Sequence, residues 1–151
     1  MRPGRNPEDV LPPLLGGIGQ VVIVVGTFLP WLRSGQSSRN SYQAGGAVRR
    51  LIGTTGLIDH LLALWPLVGL ACAASIALYL TGLRTVSALL AGVSSLSAGA
   101  AAVGALATTA TSYAEVSLIG PVATLVGATL VALAVLQRAL AIVAAVPRSP
   151  R

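Results

Sequence analysis

The side chains able to do acid–base, nucleophilic or metal chemistry in this chain are few and scattered: His60, Cys72, Glu8, Asp9, Asp59 and Glu115. A zinc-type site needs three or four ligands of matching type. One histidine, one cysteine and four dispersed acids do not supply such a set, so no metal is expected. His60 adjoins Asp59, but sequence neighbours on a helix point about 100° apart and do not naturally pair. The pair reads instead as a helix start, with Asp59 capping the N-terminus and His60 at the level of lipid headgroups. The alternative for His60 is a pH sensor or proton relay. Cys72 is alone, so it forms no internal disulfide, and thiol redox chemistry in a membrane needs at least a cysteine pair. Glu115 has no acid–base partner nearby in sequence and reads as a solvated charge at a helix end. The motifs of serine hydrolases, zinc hydrolases and phosphate-binding loops do not occur. The expectation is a protein that is not an enzyme and binds no cofactor.

All ten basic residues are arginine and the net charge is +6. Nucleic-acid modules join a basic patch to a recognisable fold or to stacking aromatics, and neither is visible, so no nucleic acid is expected. Arginine at the ends of apolar stretches is instead the ordinary partner of anionic headgroups.

Those stretches are the elements that must position everything else. Four runs, 10–32, 61–83, 85–114 and 116–137, contain no Asp, Glu, Arg, Lys or His. About 20 helical residues cover the roughly 30 Å of bilayer hydrocarbon, and each run is long enough. Only 9% of the residues are charged and 54% are hydrophobic, against about 25% charge in an ordinary soluble domain. The expected fold is all-α: a single integral-membrane four-helix bundle, with spans at 14–32, 61–83, 86–108 and 118–138 and a first loop over 33–60. Pro12-Pro13 is expected to delay the first helix to Leu14. The run is too long for a cleaved signal peptide and no small-residue cleavage site follows it, so it reads as a retained span.

Trp31 closes the first span and Trp65 opens the second, so both tryptophans flank the first loop on one side of the membrane, where indoles favour the headgroup level. Within that loop 35–40 is rich in turn formers. From 41 to 52 an amphipathic helix is expected, lying flat at the interface: Ala44, Ala47, Val48, Leu51 and Ile52 share one arc, and Tyr42, Gln43, Arg49 and Arg50 the other. Thr54-Thr55-Gly56 ends it. Gly82 to Thr85 forms a tight antiparallel turn. Residues 108–117 read as the next loop, Pro121 falls in the first turn of the last span, and 139–146 can extend that helix.

Small residues recur every fourth position: Gly69, Ala73 and Ala77; Ser87, Ala91, Ser95 and Gly99; Gly120, Thr124, Ala128 and Ala132. In lipid, close approach of such faces supplies the contact energy between helices. Val86, Leu89, Leu90, Val93 and Leu96 fall mostly opposite the second row and are expected to face lipid. An ion-coupled transporter leaves an ionisable residue inside a span, and none is present. Small multidrug exporters use a glutamate in their first span, where this chain has Gln20, a neutral amide suited to a bond between helices. With the N-terminus inside, six arginines (Arg2, Arg5, Arg84, Arg138, Arg148 and Arg151) face the cytoplasm and four (Arg33, Arg39, Arg49 and Arg50) face out, which favours cytoplasmic N- and C-termini.

The segment Phe28-Leu29-Pro30-Trp31-Leu32-Arg33-Ser34-Gly35, followed by Arg39-Asn40-Ser41-Tyr42 and by Leu64-Trp65-Pro66-Leu67, resembles a group of small actinobacterial membrane proteins. They share a Pro-Trp-x-x-Ser-Gly exit from the first span, an Arg-x-Ser-aromatic start to an amphipathic segment and a Trp-Pro-Leu second span; Gly120-Pro121 fits as well. The resemblance covers most of the chain. It implies four spans and the plasma membrane, and it carries no catalytic residue. The functional expectation is a non-catalytic accessory or scaffold subunit that contacts lipid headgroups or a membrane-protein partner through Trp31, Arg33, Arg39, Tyr42, Arg49 and Arg50, residue types enriched at interface hot spots. The alternative is a small homo-oligomeric transporter or pore.

Overall fold

The computed structural model describes residues 7–52, 56–107 and 115–144. Thr54 and Thr55, residues 108–114, the end of the 139–146 extension and the arginines at 2, 5, 148 and 151 lie outside the described residues. The described chain is predominantly helical: α1 (Pro7–Phe28), α2 (Ser41–Ile52), α3 (Leu57–Leu64), α4 (Leu67–Leu80), α5 (Arg84–Ala107) and α6 (Ile119–Ala144). Three of these are long and apolar enough to cross a membrane: α1 over Val10–Phe28, α5 and α6.

The sequence expectation needs correction in three places. First, α1 runs unbroken through Pro12 and Pro13. Proline removes an N–H donor, but its fixed φ near −65° is itself helical, and Pro7 occupies the first helical position, where proline is best tolerated. Second, the expected 61–83 span is two helices, α3 and α4, parted at Trp65-Pro66. Third, the fold is not purely α. Strands β1 (Pro30–Ser34), β2 (Ser37–Asn40) and β3 (Glu115–Val116) form a sheet in the order β2-β1-β3. β1 and β2 are a hairpin whose two-residue turn starts at Gly35, with φ +56°. A positive φ at that corner is what tight hairpins demand and glycine supplies.

Helix ends follow local chemistry. Asn40 and Gln43 cap α2 reciprocally: Gln43 N–H donates to Asn40 Oδ1 (3.0 Å), and Asn40 N–H to Gln43 Oε1 (3.3 Å). This is a capping box built from amides. α4 ends with Gly82 at φ +89°, Leu83 N–H donating to Leu78 O and Gly82 N–H to Tyr79 O. That pairing is the Schellman motif, and it turns the chain directly into α5.

Packing is inverted relative to a water-soluble domain. Most buried positions are small or polar, including Ala98, Ala102, Ala128, Ser87, Ser94, Ser95 and Thr124, with Ile23, Val131 and Trp31 the large exceptions, while Leu70, Leu80, Leu89, Leu96 and Val143 stand exposed. Large apolar side chains turned outward over whole helices fit a hydrocarbon surround, where close packing rather than burial from water holds helices together. α1 packs most extensively on α6, then α5 on α6 and α4 on α5; α1 touches α4 and α5 more lightly. Two glycines permit the α1–α6 approach. A Cβ at Gly19 would lie 2.8 Å from the carbonyl oxygen of Gly127, and one at Gly127 2.7 Å from that of Gly19.

The small-residue rows are used unequally. On α5, Ser87 and Ser95 are buried, Ala91 and Gly99 half-buried, and Val86, Leu89, Val93 and Leu96 exposed, as the spacing predicts, while Leu90 is half-buried. On α6, Gly120, Thr124 and Ala128 are buried, but Ala132 is exposed and Gly127 and Val131 join the interface. On α4, Ala73 and Ala77 are exposed, and Cys72 and Ser75 face inward instead.

Candidate functional site

The residues singled out from the sequence converge on one end of the helices, where the sheet and α2 form a cap. The register of β1 against β2 slips between Pro30 and Leu32, so Trp31 is the extra residue of a β-bulge. Bulges re-aim side chains, and this one turns the indole inward until Trp31 is only 6% exposed. Its Nε1–H donates to Gly26 O at 2.9 Å. Gly26 lies in the last turn of α1, whose carbonyls have no intrahelical partner. The indole sits against Gly120, where any Cβ would collide with it, and Ser117 N–H donates to Trp31 O at 2.9 Å. Trp31 therefore joins α1, β1 and the start of α6.

Ser41 is the second hub. Its hydroxyl donates to Thr27 O at 2.7 Å, the next unpaired carbonyl of α1, and accepts from Trp65 Nε1–H at 3.0 Å. Thr27 Oγ1 donates to Val24 O at 2.7 Å and lies 3.1 Å from the Tyr42 hydroxyl. With its own proton committed to Val24, Thr27 accepts from Tyr42. Tyr42 and Phe28 rings stand 5.3 Å apart, and the two tryptophans meet edge-on at 5.9 Å. Edge-on packing is a favoured aromatic arrangement. Ala44 of α2 is buried in a cluster with Trp31 and Ala102, flanked by Leu32, Trp65 and Ala105. Ala44, at the start of the apolar arc of α2, thus rests on the protein's own core.

The six expected contact residues divide accordingly. Trp31 is turned inward and holds the cap together; a buried indole offers no outward contact, so it leaves the set. Tyr42 is half-buried and also structural. Arg33, Arg39, Arg49 and Arg50 are exposed on the cap. Arg49 makes a two-pronged ion pair with Asp59, Nε to Oδ1 at 2.7 Å and a second bond at 3.2 Å. This corrects the expectation for Asp59. Gly56 occupies the N-cap of α3, and Asp59 lies within the first turn, where its carboxylate ties α3 to α2. His60 Nδ1 is 2.8 Å from Gly56 O. Among the described residues no three His, Cys, Asp or Glu side chains group as metal ligands.

One polar cluster lies within the helices. Gln20 is 2% exposed, and its Nε2 donates to Ser94 Oγ at 3.4 Å. Ser94 in turn donates to Ala91 O at 3.1 Å. The amide orientation follows: Ser94 has spent its proton and must accept, so the nitrogen of Gln20 faces it. Gln20 Oε1 then has no donor among the described residues. A buried acceptor left unmet costs about 1–3 kcal/mol. Thr124 Oγ1 is likewise unpartnered, but it presses against Gly26 at the α1–α6 crossing, where a Cβ would strike it.

Sequence reasoning missed Ser41, Thr27 and Gly120 as organising residues. The available signal was the Asn40-Ser41-x-Gln43 capping pattern, which fixes where α2 begins and so places Ser41 at the α1 terminus. No protein-family model, curated protein or solved structure matches this chain.

Proposed function

We propose that the chain is a multi-pass plasma-membrane protein of accessory or scaffold type, without catalytic activity, whose cap contacts lipid headgroups or a membrane-protein partner. The observation that carries this reading is the rigid cap itself. Two tryptophans, Ser41 and Tyr42 fix the hairpin and α2 on the helix ends, and Arg33, Arg39, Arg49 and Arg50 are left on its outer surface. A surface held this way presents its arginines from a fixed backbone, so contact orders only their side chains, and arginine is a residue type enriched at contact hot spots.

In this reading α3 and α4 together make the fourth crossing beside α1, α5 and α6. The order of packing supports it, because α4 runs away from the cap, turns at Gly82 and returns as α5. N- and C-termini then lie on the same side, with Arg84 and Arg138 at the end away from the cap, and the positive-inside rule puts that end in the cytoplasm.

Two measurements test the reading. Reporter fusions after Arg84 and Arg138 are expected to report the cytoplasm and a fusion in the 35–40 turn the outside; any other pattern refutes the topology. Replacing Arg33, Arg39 and Arg50 together with glutamine is expected to reduce both co-purification of membrane partners and binding to anionic vesicles at unchanged protein level. Unchanged behaviour in both assays refutes the contact role.

A further inference from the structure

We infer that the seam between α1 and the α4–α5 hairpin is a binding site for one small, neutral hydrogen-bond donor, water or a hydroxyl- or amide-bearing solute of similar size, with Gln20 Oε1 as its acceptor. This goes beyond the cap and does not depend on it. The orientation of the Gln20 amide is fixed by the donation of Ser94 to Ala91 O, so the oxygen is the atom left over. Gln20 is almost fully enclosed, so bulk solvent does not meet the need from outside.

α1 packs only lightly on α4 and α5, and that is the side on which Gln20 bonds Ser94 of α5. The opposite side of α1 is closed, since Gly19 and Gly26 lie hard against α6. α1 thus has one sealed seam and one looser seam, and the Gln20 amide, held by Ser94 of α5, lies at the looser one.

The chemistry defines the ligand class. An amide oxygen accepts, so the occupant must donate. No Asp or Glu occurs in α1 beyond Asp9, in α4 or in α5, so nothing there compensates a cation in a low-dielectric interior. Gln20 and Ser94 are both buried, so an occupant there is enclosed by protein.

The test uses the full-length protein in lipid nanodiscs with glutamine side chains labelled with 15N. Gln20 is the one buried glutamine; Gln36, Gln43 and Gln137 are exposed. Its amide signal is assigned by its loss in Gln20→Met or, if that variant does not fold, by replacing the three exposed glutamines in turn with asparagine. Water is one probe and formamide the other. Magnetisation transfer from water to the Gln20 amide protons identifies water as the occupant. A saturable shift of the same signal on adding formamide identifies a site open to solutes. Either result supports the proposal. A Gln20 amide that neither receives magnetisation from water nor responds to formamide overturns it.

Discussion

The indole of Trp31 stands in the space that a side chain at Gly120 would need. The two residues are far apart in sequence, and their contact sets how the first strand meets the start of α6. Because Pro30 O also crowds the same point, 2.7 Å from a Cβ built there, neither backbone can retreat without breaking the bulge. Gly120→Ala is therefore expected to destabilise the cap by about 1–3 kcal/mol, the usual cost of forcing a methyl into a packed site. Thermal melting in detergent followed by tryptophan fluorescence measures it. The loss should shrink when Trp31→Phe is made in the same chain, since the two sites share one contact.

Ser41 serves two partners through one oxygen, Thr27 O and Trp65 Nε1. In Ser41→Ala both buried groups lose their bond. A destabilisation of about 1–3 kcal/mol is expected, with a red shift of Trp65 emission as the indole seeks another acceptor. If Ser41→Ala melts with the parent and emits unchanged, the hub assignment is wrong.

The glycines of α1, α5 and α6 should separate by environment. Gly19→Ala and Gly127→Ala place a methyl against backbone carbonyl oxygen, so each is expected to weaken the α1–α6 pair by about 1–3 kcal/mol. Gly104 has nothing within 4 Å of its would-be Cβ. Gly104→Ala is therefore expected to be neutral or to stabilise by about 0.5–1 kcal/mol through backbone entropy alone. Melting temperatures of the three variants give the comparison directly.

The Arg49–Asp59 pair joins α2 to α3, but both side chains are about a third or more exposed, 41% and 33%. Pairs in such surroundings contribute roughly 0–1 kcal/mol and are screened by salt. Asp59→Asn should lower the melting temperature slightly at low ionic strength and hardly at all at high salt. A large loss that ignores salt would show that Asp59 has a different duty.

Much of this architecture is readable in the residues, and the failures have physical reasons. The bounds of α2 follow from the amphipathic arc and the amide cap at Asn40, both local signals. That Ala44 packs on protein is not local: its side chain would suit lipid as well, and only Trp31, Trp65 and Ala102 arriving from elsewhere in the chain decide it. The sheet escaped notice because β2 reads Ser-Ser-Arg-Asn and β3 spans two residues, too short and polar for any alternation to register. Four-residue spacing found the packed rows of α5 and α6. On α4 it chose Ala73 and Ala77, because spacing marks every row of small side chains equally and partner position selects among them. The tryptophans' shared side was legible from their flanking positions; the bulge that sends Trp31 inward was not, because it depends on how β1 pairs with β2.

The break at Trp65-Pro66 leaves α4 with 14 residues, about 21 Å of rod beside neighbours that each reach the full width of a bilayer. With α3 ahead of it in the proposed fourth crossing, that side of the bundle is two short rods joined at a bend where its neighbours are single rods, and the bend sets how the crossing tilts against a bilayer. One flank of the molecule would then meet lipid with a jointed rod while the others meet it with straight ones, and a joint can follow a change in bilayer thickness that a straight rod meets only by tilting.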